Sequence, residues 1–216
     1  MSRPFDATIM VLAKAPRAGR VKTRLCPPCT PDAAASIAAA ALADTLATVA
    51  AVPVARRVLV LDGPVGPWVH PSFTVVPQCG GDLGDRLTAA FARVEGPALL
   101  VGMDTPQVTA FELEDALRDL ASPVVDAVLG PACDGGWWSL GLTRTLPGVF
   151  ERVPMSTSDT GRAQLARLTA LRLRTRLLGV RVDVDHFPDA LAVADAIPDS
   201  RFAKAVGAAM AEVGAA

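Results

Sequence analysis

"ATIMVLAKAPRAGRVKTRL", residues 7–25, sets an apolar run directly against a charged loop. The first seven residues are continuously apolar apart from Thr8, the pattern of a strand buried on both faces of a sheet. Five cations then arrive within eleven positions, Lys14, Arg17, Arg20, Lys22 and Arg24, with Pro16 and Gly19 among them. A buried strand that empties into a dense cationic turn is the beginning of a parallel α/β sheet with a ligand site at the carboxyl ends of its strands.

The rest of the chain fits that beginning. Thr30, Pro31 and Asp32 cap a long Ala-rich helix over 32–52, with Pro at a position where its missing N–H costs nothing. Strands follow at 56–62 and 73–78, then a helix at 85–94. A fourth buried strand, 97–104, leads to a helix at 110–120. Further strands are expected at 126–132 and 137–142, a helix at 158–174, a late strand at 177–185 and two short helices at the C-terminal end. Strands alternating with helices predict a three-layer α/β/α sandwich around a mostly parallel, Rossmann-like sheet. No linker or repeat divides the 216 residues, so one domain over 1–216 is expected.

Composition removes several function classes. Hydrophobic residues make up 51% and charged residues 20%, with a net charge of −1, so the cationic loop is a local feature and not part of a basic coat. Aromatic residues are few and do not interleave with Arg or Lys, which argues against a nucleic-acid partner. No apolar run reads as a membrane span, and the start lacks the form of a signal peptide; a cytosolic protein is expected. Of the four cysteines, Cys26 and Cys29 form a CxxC around two prolines, without the second close pair that a zinc site wants. Four reduced thiols are expected.

The polar punctuation falls at the ends of the expected strands. The first loop has neither GxxxxGK[ST] nor GxGxxG, yet its backbone amides and cations can converge on adjacent phosphate oxygens. Asp104, in "LLVGMDTP", leaves a buried strand and can either cap the following turn or hold a hard divalent cation beside substrate phosphates. The late "RVDVDH" favours the cation. Alternation puts Asp183 and Asp185 on one face and Val182 and Val184 on the other, and two acids side by side need a cation or donors. Asp185 is expected to share a metal with Asp104, with His186 as an alternative ligand. In "ACDGGWW", Gly135 and Gly136 let backbone approach a ligand, Asp134 adds a carboxylate, and Trp137 and Trp138 offer flat walls.

Together these residues resemble the nucleotide-diphospho-sugar transferase superfamily, with the glycosyltransferase-A fold. The nearest pattern belongs to a branch of small bacterial proteins, largely of unknown function, some labelled arsenosugar-biosynthesis glycosyltransferases. Its K-x-P-x-x-G-x-V-K-T-R-L is found at 14–25, Q…LG-x-R-L at 78–87, G-x-D-x-P at 102–106, GPA-x-DGG followed by two aromatics at 130–138, and a late D-V-D at 183–185. The resemblance implies that Lys14, Gly19, Lys22, Thr23 and Arg24 hold nucleotide phosphates and that Gln78, Asp82 and Gly84 read the base. It implies that Asp104 and Asp185 bind Mg²⁺ or Mn²⁺, and that Gly135, Gly136, Trp137 and Trp138 face the acceptor. Asp134 as general base and Lys22 on the leaving phosphates are the implied catalytic pair. Trp137 and Trp138 stand where the branch usually has Tyr, and His186 where related sequences often have Thr.

Three functions follow, in order. The first is a glycosyltransferase that moves a sugar from a nucleotide-diphosphate donor to a small-molecule acceptor. The second is a nucleotidyltransferase that releases pyrophosphate, as the molybdenum-cofactor and coenzyme F420 guanylyltransferases of the superfamily do. The third is a non-catalytic nucleotide-binding protein, against which the retained pair Asp104 and Asp185 argues. The sequence does not specify an oligomeric state.

Overall fold

The computed structural model describes residues 4–214. Strand β1 (Phe5–Lys14) runs into the cationic loop, which holds one short 3-10 turn at Thr23–Leu25, and then into α1 (Pro31–Ala51). Strands β2 (Val54–Asp62) and β3 (Thr74–Pro77) follow, then α2 (Leu83–Ala92), β4 (Ala98–Gly102) and α3 (Ala110–Leu120). The second half comprises β5 (Ala127–Pro131), β6 (Trp137–Leu142), α4 (Thr160–Ala170), β7 (Thr175–Leu177), α5 (Phe187–Ala196) and α6 (Arg201–Gly214).

The strands form one seven-stranded sheet in the order β3-β2-β1-β4-β6-β5-β7. Only β6 breaks the parallel arrangement, pairing antiparallel with both β4 and β5. Its short connection from β5 explains this, since a few residues suffice for an antiparallel return whereas a parallel crossover needs a dozen or more. Helices α1 and α3 cover one face, where Ile9, Val11, Leu42, Leu46, Leu99, Val101, Leu113 and Trp138 share a core. Helices α2 and α4 cover the other, around Met10, Leu87, Phe91, Leu100, Leu140 and Phe150. The three-layer α/β/α expectation holds.

Helix α1 starts as its capping residues dictate: Thr30 Oγ1 accepts from the Ala33 N–H at 3.1 Å, and Pro31 is the first helical residue. Its alanines are explained by a third core on its outer side. There Ile37, Ala34 and Ala41 meet Val184, Val193, Phe202 and Val206 from the C-terminal helices and the segment before them. A helix packed on two sides has no wide polar face to show. Among the described residues α1 alone has the length and apolarity of a membrane span, and half of that stretch is buried within the fold, as in the core helix of a globular domain. Cys29 belongs to this same third core, where burial pushes its thiol up. All four cysteines are free thiols.

The expected late strand over 177–185 is not one. Strand β7 ends at Leu177, and beyond it only a single bridge joins Arg181 to Ala132. The chain instead crosses the carboxyl ends of β5 and β4, held by isolated bonds. The Arg181 N–H donates to Pro131 O at 3.1 Å, the Cys133 N–H to Arg181 O at 2.9 Å, and the Val184 N–H to Asp104 O at 2.9 Å. Gln107 Nε2 donates to Val182 O at 2.6 Å, and Arg181 pairs with Glu112 of α3. This crossing carries Asp183 and Asp185 over the end of β4.

Candidate active site

At the carboxyl ends of β1 and β4, beside the amino end of the antiparallel β6, lies a cavity of about 620 Å³, within the usual range for small-ligand sites. One wall is the first loop, contributing Lys14, Arg20, Lys22, Thr23 and Arg24. The acids Asp104, Asp134, Asp183 and Asp185 line the same cavity. A third side is apolar and comes from Leu12, Leu83, Leu87, Leu100, Trp137 and Met155.

Lys22 is the pivot of the charged side. Its backbone is left-handed, with φ 48°, a conformation that costs a non-glycine residue about 1–2 kcal/mol and recurs at functional sites. That turn aims its ammonium inward. Nζ lies 2.6 Å from Asp104 Oδ1, and the side chain is 9% exposed. It also donates to the Val184 carbonyl. Two residues on, Arg24 pairs with Asp185. The loop cations and the candidate metal acids are thus bound to each other.

Asp183 carries the electrostatic signature of the cluster. Burial, and then the charge of Asp104, push its carboxyl up to about 7 against the lowering pull of Lys22, while Asp134 and Asp185 add to the rise. Lys22 offsets part of that rise and does not cancel it. Carboxylates and a carbonyl are the hard oxygen donors that Mg²⁺ or Mn²⁺ takes, so the residues present fit such an ion. No group of three ligating side chains among the described residues converges to cage one unaided. A divalent ion here would complete its shell with water or substrate phosphate, as Mg²⁺ commonly does.

The other expected residues fall in different places. Gln78 lines the cavity, but its Nε2 is spent on Ala13 O at 2.8 Å and Val60 O at 3.2 Å, bracing the ends of β1 and β2. Asp82 and Gly84 do not line it. Asp82 is the N-cap of α2, its Oδ1 accepting from the Asp85 N–H at 2.9 Å. Gly19 also lies outside the lining; with φ 71° it shapes the turn. His186 begins α5, its N–H donating to Asp189 Oδ2 at 2.7 Å, and is not a lining residue.

In "CDGGWW" the glycines serve a different neighbour than expected. A Cβ on Gly135 would stand 2.0 Å from Ser158 O, and one on Gly161 2.5 Å from Gly136 O. Backbone packs on backbone there, and the Gly161 N–H donates to Gly135 O at 2.8 Å. Gly136 lines the cavity and Gly135 does not. Asp134 does, held by the Gly136 N–H at 2.8 Å from Oδ1. Trp138 also borders the cavity, but it is 2% exposed and its Nε1 donates to Gly179 O at 2.9 Å, so most of its indole belongs to the core. Trp137, on the opposite sheet face, stacks on Phe150 with ring centroids 6.5 Å apart.

Three contributors escaped the sequence reading as site residues: Arg20, Arg86 and the segment Met155–Ser158 with Thr160. The run "MSTSDTG" carried a signal, since a Ser/Thr/Asp cluster ahead of a helical pattern marks a helix start. Thr160 Oγ1 donates to Pro154 O at 2.7 Å and accepts from the Thr157 N–H at 3.0 Å, fixing that segment as a rigid rim.

The whole architecture is shared with solved structures. A Desulfovibrio desulfuricans G20 protein assigned as a nucleotide-diphospho-sugar transferase superposes with a TM-score of 0.84 at 25% identity, covering 96% of each chain. A CMP-2-keto-3-deoxy-manno-octonic acid synthetase complexed with CTP matches at 0.56 and 13% identity, over 89% of this chain and 98% of its own. A mannosyltransferase from Pyrobaculum calidifontis, in complex with GDP-mannose and Mn²⁺, matches at 0.55 and 15%, over 95% of this chain and 65% of its own. No curated protein sequence matches the chain. The fold is that of the nucleotide-diphospho-sugar transferases, a fold of nucleotide-dependent transferases, as the sequence motifs implied. Residues 34–157 match the model of a family described as "uncharacterized protein conserved in bacteria", DUF2064, and the chain belongs to that family.

Proposed function

We propose that this protein is a divalent-metal-dependent glycosyltransferase that moves a sugar from a nucleotide-diphosphate donor to a small acceptor. The observation that carries the reading is the meeting of two charge sets in one cavity: the cations Lys14, Arg20, Lys22 and Arg24 and the acids Asp104, Asp183 and Asp185, joined by the Lys22–Asp104 and Arg24–Asp185 pairs. Cations in a turn suit a diphosphate. The acids suit the ion that accompanies it.

Donor phosphates lie along the first loop, where Lys22 and Arg24 reach leaving-group oxygens and Lys14 and Arg20 add charge. A bound Mg²⁺ or Mn²⁺ would supply neutralisation of the departing diphosphate. Asp104 and Asp185 would hold that ion, with Asp183 close by. The acceptor hydroxyl attacks the anomeric carbon, the bond from that carbon to the phosphate oxygen breaks, and the hydroxyl proton passes to Asp134. The Gly136 N–H keeps that carboxylate oriented, which a general base needs. The apolar side, with Trp137 and Met155, shields the reacting centre from water.

A second reading is favoured by one feature. Four cations of the first loop line the cavity, a density that suits a triphosphate as well as a diphosphate. In that case a nucleotidyl group moves to an acceptor phosphate and pyrophosphate leaves. Incubation with Mn²⁺, candidate nucleotide sugars and nucleoside triphosphates separates the readings by product. Release of a nucleoside diphosphate supports sugar transfer, release of pyrophosphate supports nucleotidyl transfer, and binding without turnover of any donor contradicts both.

A further inference from the structure

We infer that Lys22 is an internal stand-in for the divalent cation, so that metal enters the acid cluster only as Lys22 swings out to the donor phosphates. The inference rests on the nucleotide-and-metal reading of the site and adds a control device to it. Three observations converge on it. First, the Lys22 ammonium is coordinated as a small cation would be, by Asp104 Oδ1 at 2.6 Å and by the Val184 carbonyl. Both are oxygen donors of the type a Mg²⁺ or Mn²⁺ shell uses. Second, the side chain is almost wholly enclosed although its backbone is in the left-handed region. The chain sustains a strained turn to deliver one ammonium to this point. Third, the neighbouring pair Arg24–Asp185 repeats the arrangement at the outer end of the cluster.

An incoming divalent ion cannot share this position with an ammonium, because two cations a few ångströms apart repel strongly where water is scarce. The ammonium must leave Asp104, and the nearest compensating charge is a phosphate on the loop side of the cavity. Metal binding to the acids and phosphate binding to Lys22 then favour each other, a coupling between two ligands in one site. Metal alone gains little, and phosphate alone must draw Lys22 away from its acid. The arrangement restrains the protein from taking up free metal.

The test is the affinity for Mn²⁺ alone, without nucleotide, read from the electron paramagnetic resonance signal of free Mn²⁺. Lys22→Met keeps an unbranched side chain and removes the charge. The inference predicts that Lys22→Met binds Mn²⁺ about tenfold or more tighter than the wild type, and that adding Asp104→Asn abolishes the gain. Because the variant leaves acids without their cation, a second readout guards against poor folding: Mn²⁺ should raise the melting temperature of Lys22→Met more than that of the wild type. If Lys22 is only a structural pin, Lys22→Met melts lower whatever the metal and binds Mn²⁺ no tighter, which overturns the inference. Wild-type binding of nucleotide with Mn²⁺ is measured in parallel. Such binding without a Lys22→Met gain defeats only the stand-in; a gain without any nucleotide binding defeats the transferase reading instead.

Discussion

Lys22 Nζ stands 2.6 Å from Asp104 Oδ1, joining the loop after β1 to the turn after β4 through the two residues expected to handle phosphate and metal. Neither charge is idle, so substitution at either position alters its partner as well as any ligand.

Asp104→Ala should abolish metal-dependent nucleotide binding while the sheet stays folded, because the carboxylate lies at a strand end and is 35% exposed. It leaves the enclosed Lys22 ammonium short of a partner. We expect a stability loss of about 1–2 kcal/mol after allowance for solvent screening. Calorimetric nucleotide titration with Mn²⁺, together with urea unfolding, checks both outcomes; unchanged metal dependence would mean that the ion sits elsewhere.

Asp183 makes stability depend on pH in a defined direction. Its carboxyl rises from 3.8 to about 7 on folding, so the folded chain binds the proton more tightly than the unfolded one. The stability tied to this group is complete below the unfolded value and is lost as pH climbs through about 7. Asp183→Asn, which stays neutral, should melt progressively above the wild type as pH rises from about 5 to 8. A constant difference across that range would show that Asp183 ionises normally.

Gly135→Ala should be destabilising by about 1–3 kcal/mol, since its φ is 88° and the new Cβ would stand 2.0 Å from Ser158 O. The damage should centre on the rim at 155–160, seen as faster amide exchange there than in β1. Equal exchange in the two regions would contradict this packing role.

Trp138→Ala and Trp137→Ala should separate. The first removes a core indole that is 2% exposed and should cost about 3–5 kcal/mol of stability. The second opens a cavity wall and should change substrate affinity more than melting temperature. Donor and acceptor titrations beside thermal unfolding of both variants decide the matter.

What the sequence made legible is what local chemistry controls. The buried strand before Lys14, the Thr30 cap and the helix at 110–120 depend on neighbours along the chain, and they appear where expected. The crossing at 178–185 differs from the expected strand because V-x-V-x-V has a strand's period, while only tertiary bonds decide whether it pairs. Alternation still operates there: Val184 is buried in the third core, and Asp183 and Asp185 both reach the cavity. The roles of Gly135 and Trp138 depended on Ser158 and Gly179, more than twenty and more than forty positions away, which no local pattern announces. Asp82 shows the converse: "DLGD" is a local capping pattern, and the residue caps α2 instead of reaching a ligand.

The central claim, that the loop at 14–24 grips phosphates across from a metal-binding acid cluster, is tested most directly by calorimetry on Lys22→Ala, Arg24→Ala and the wild type. A nucleoside, its diphosphate and its triphosphate are each titrated with Mn²⁺ and with chelator. The account predicts that wild-type affinity rises with phosphate number and falls when metal is chelated. Each substitution should cost the polyphosphates about ten- to a hundredfold and leave the bare nucleoside nearly unaffected. Equal weakening for all three ligands, or polyphosphate binding indifferent to both metal and the two cations, would contradict it.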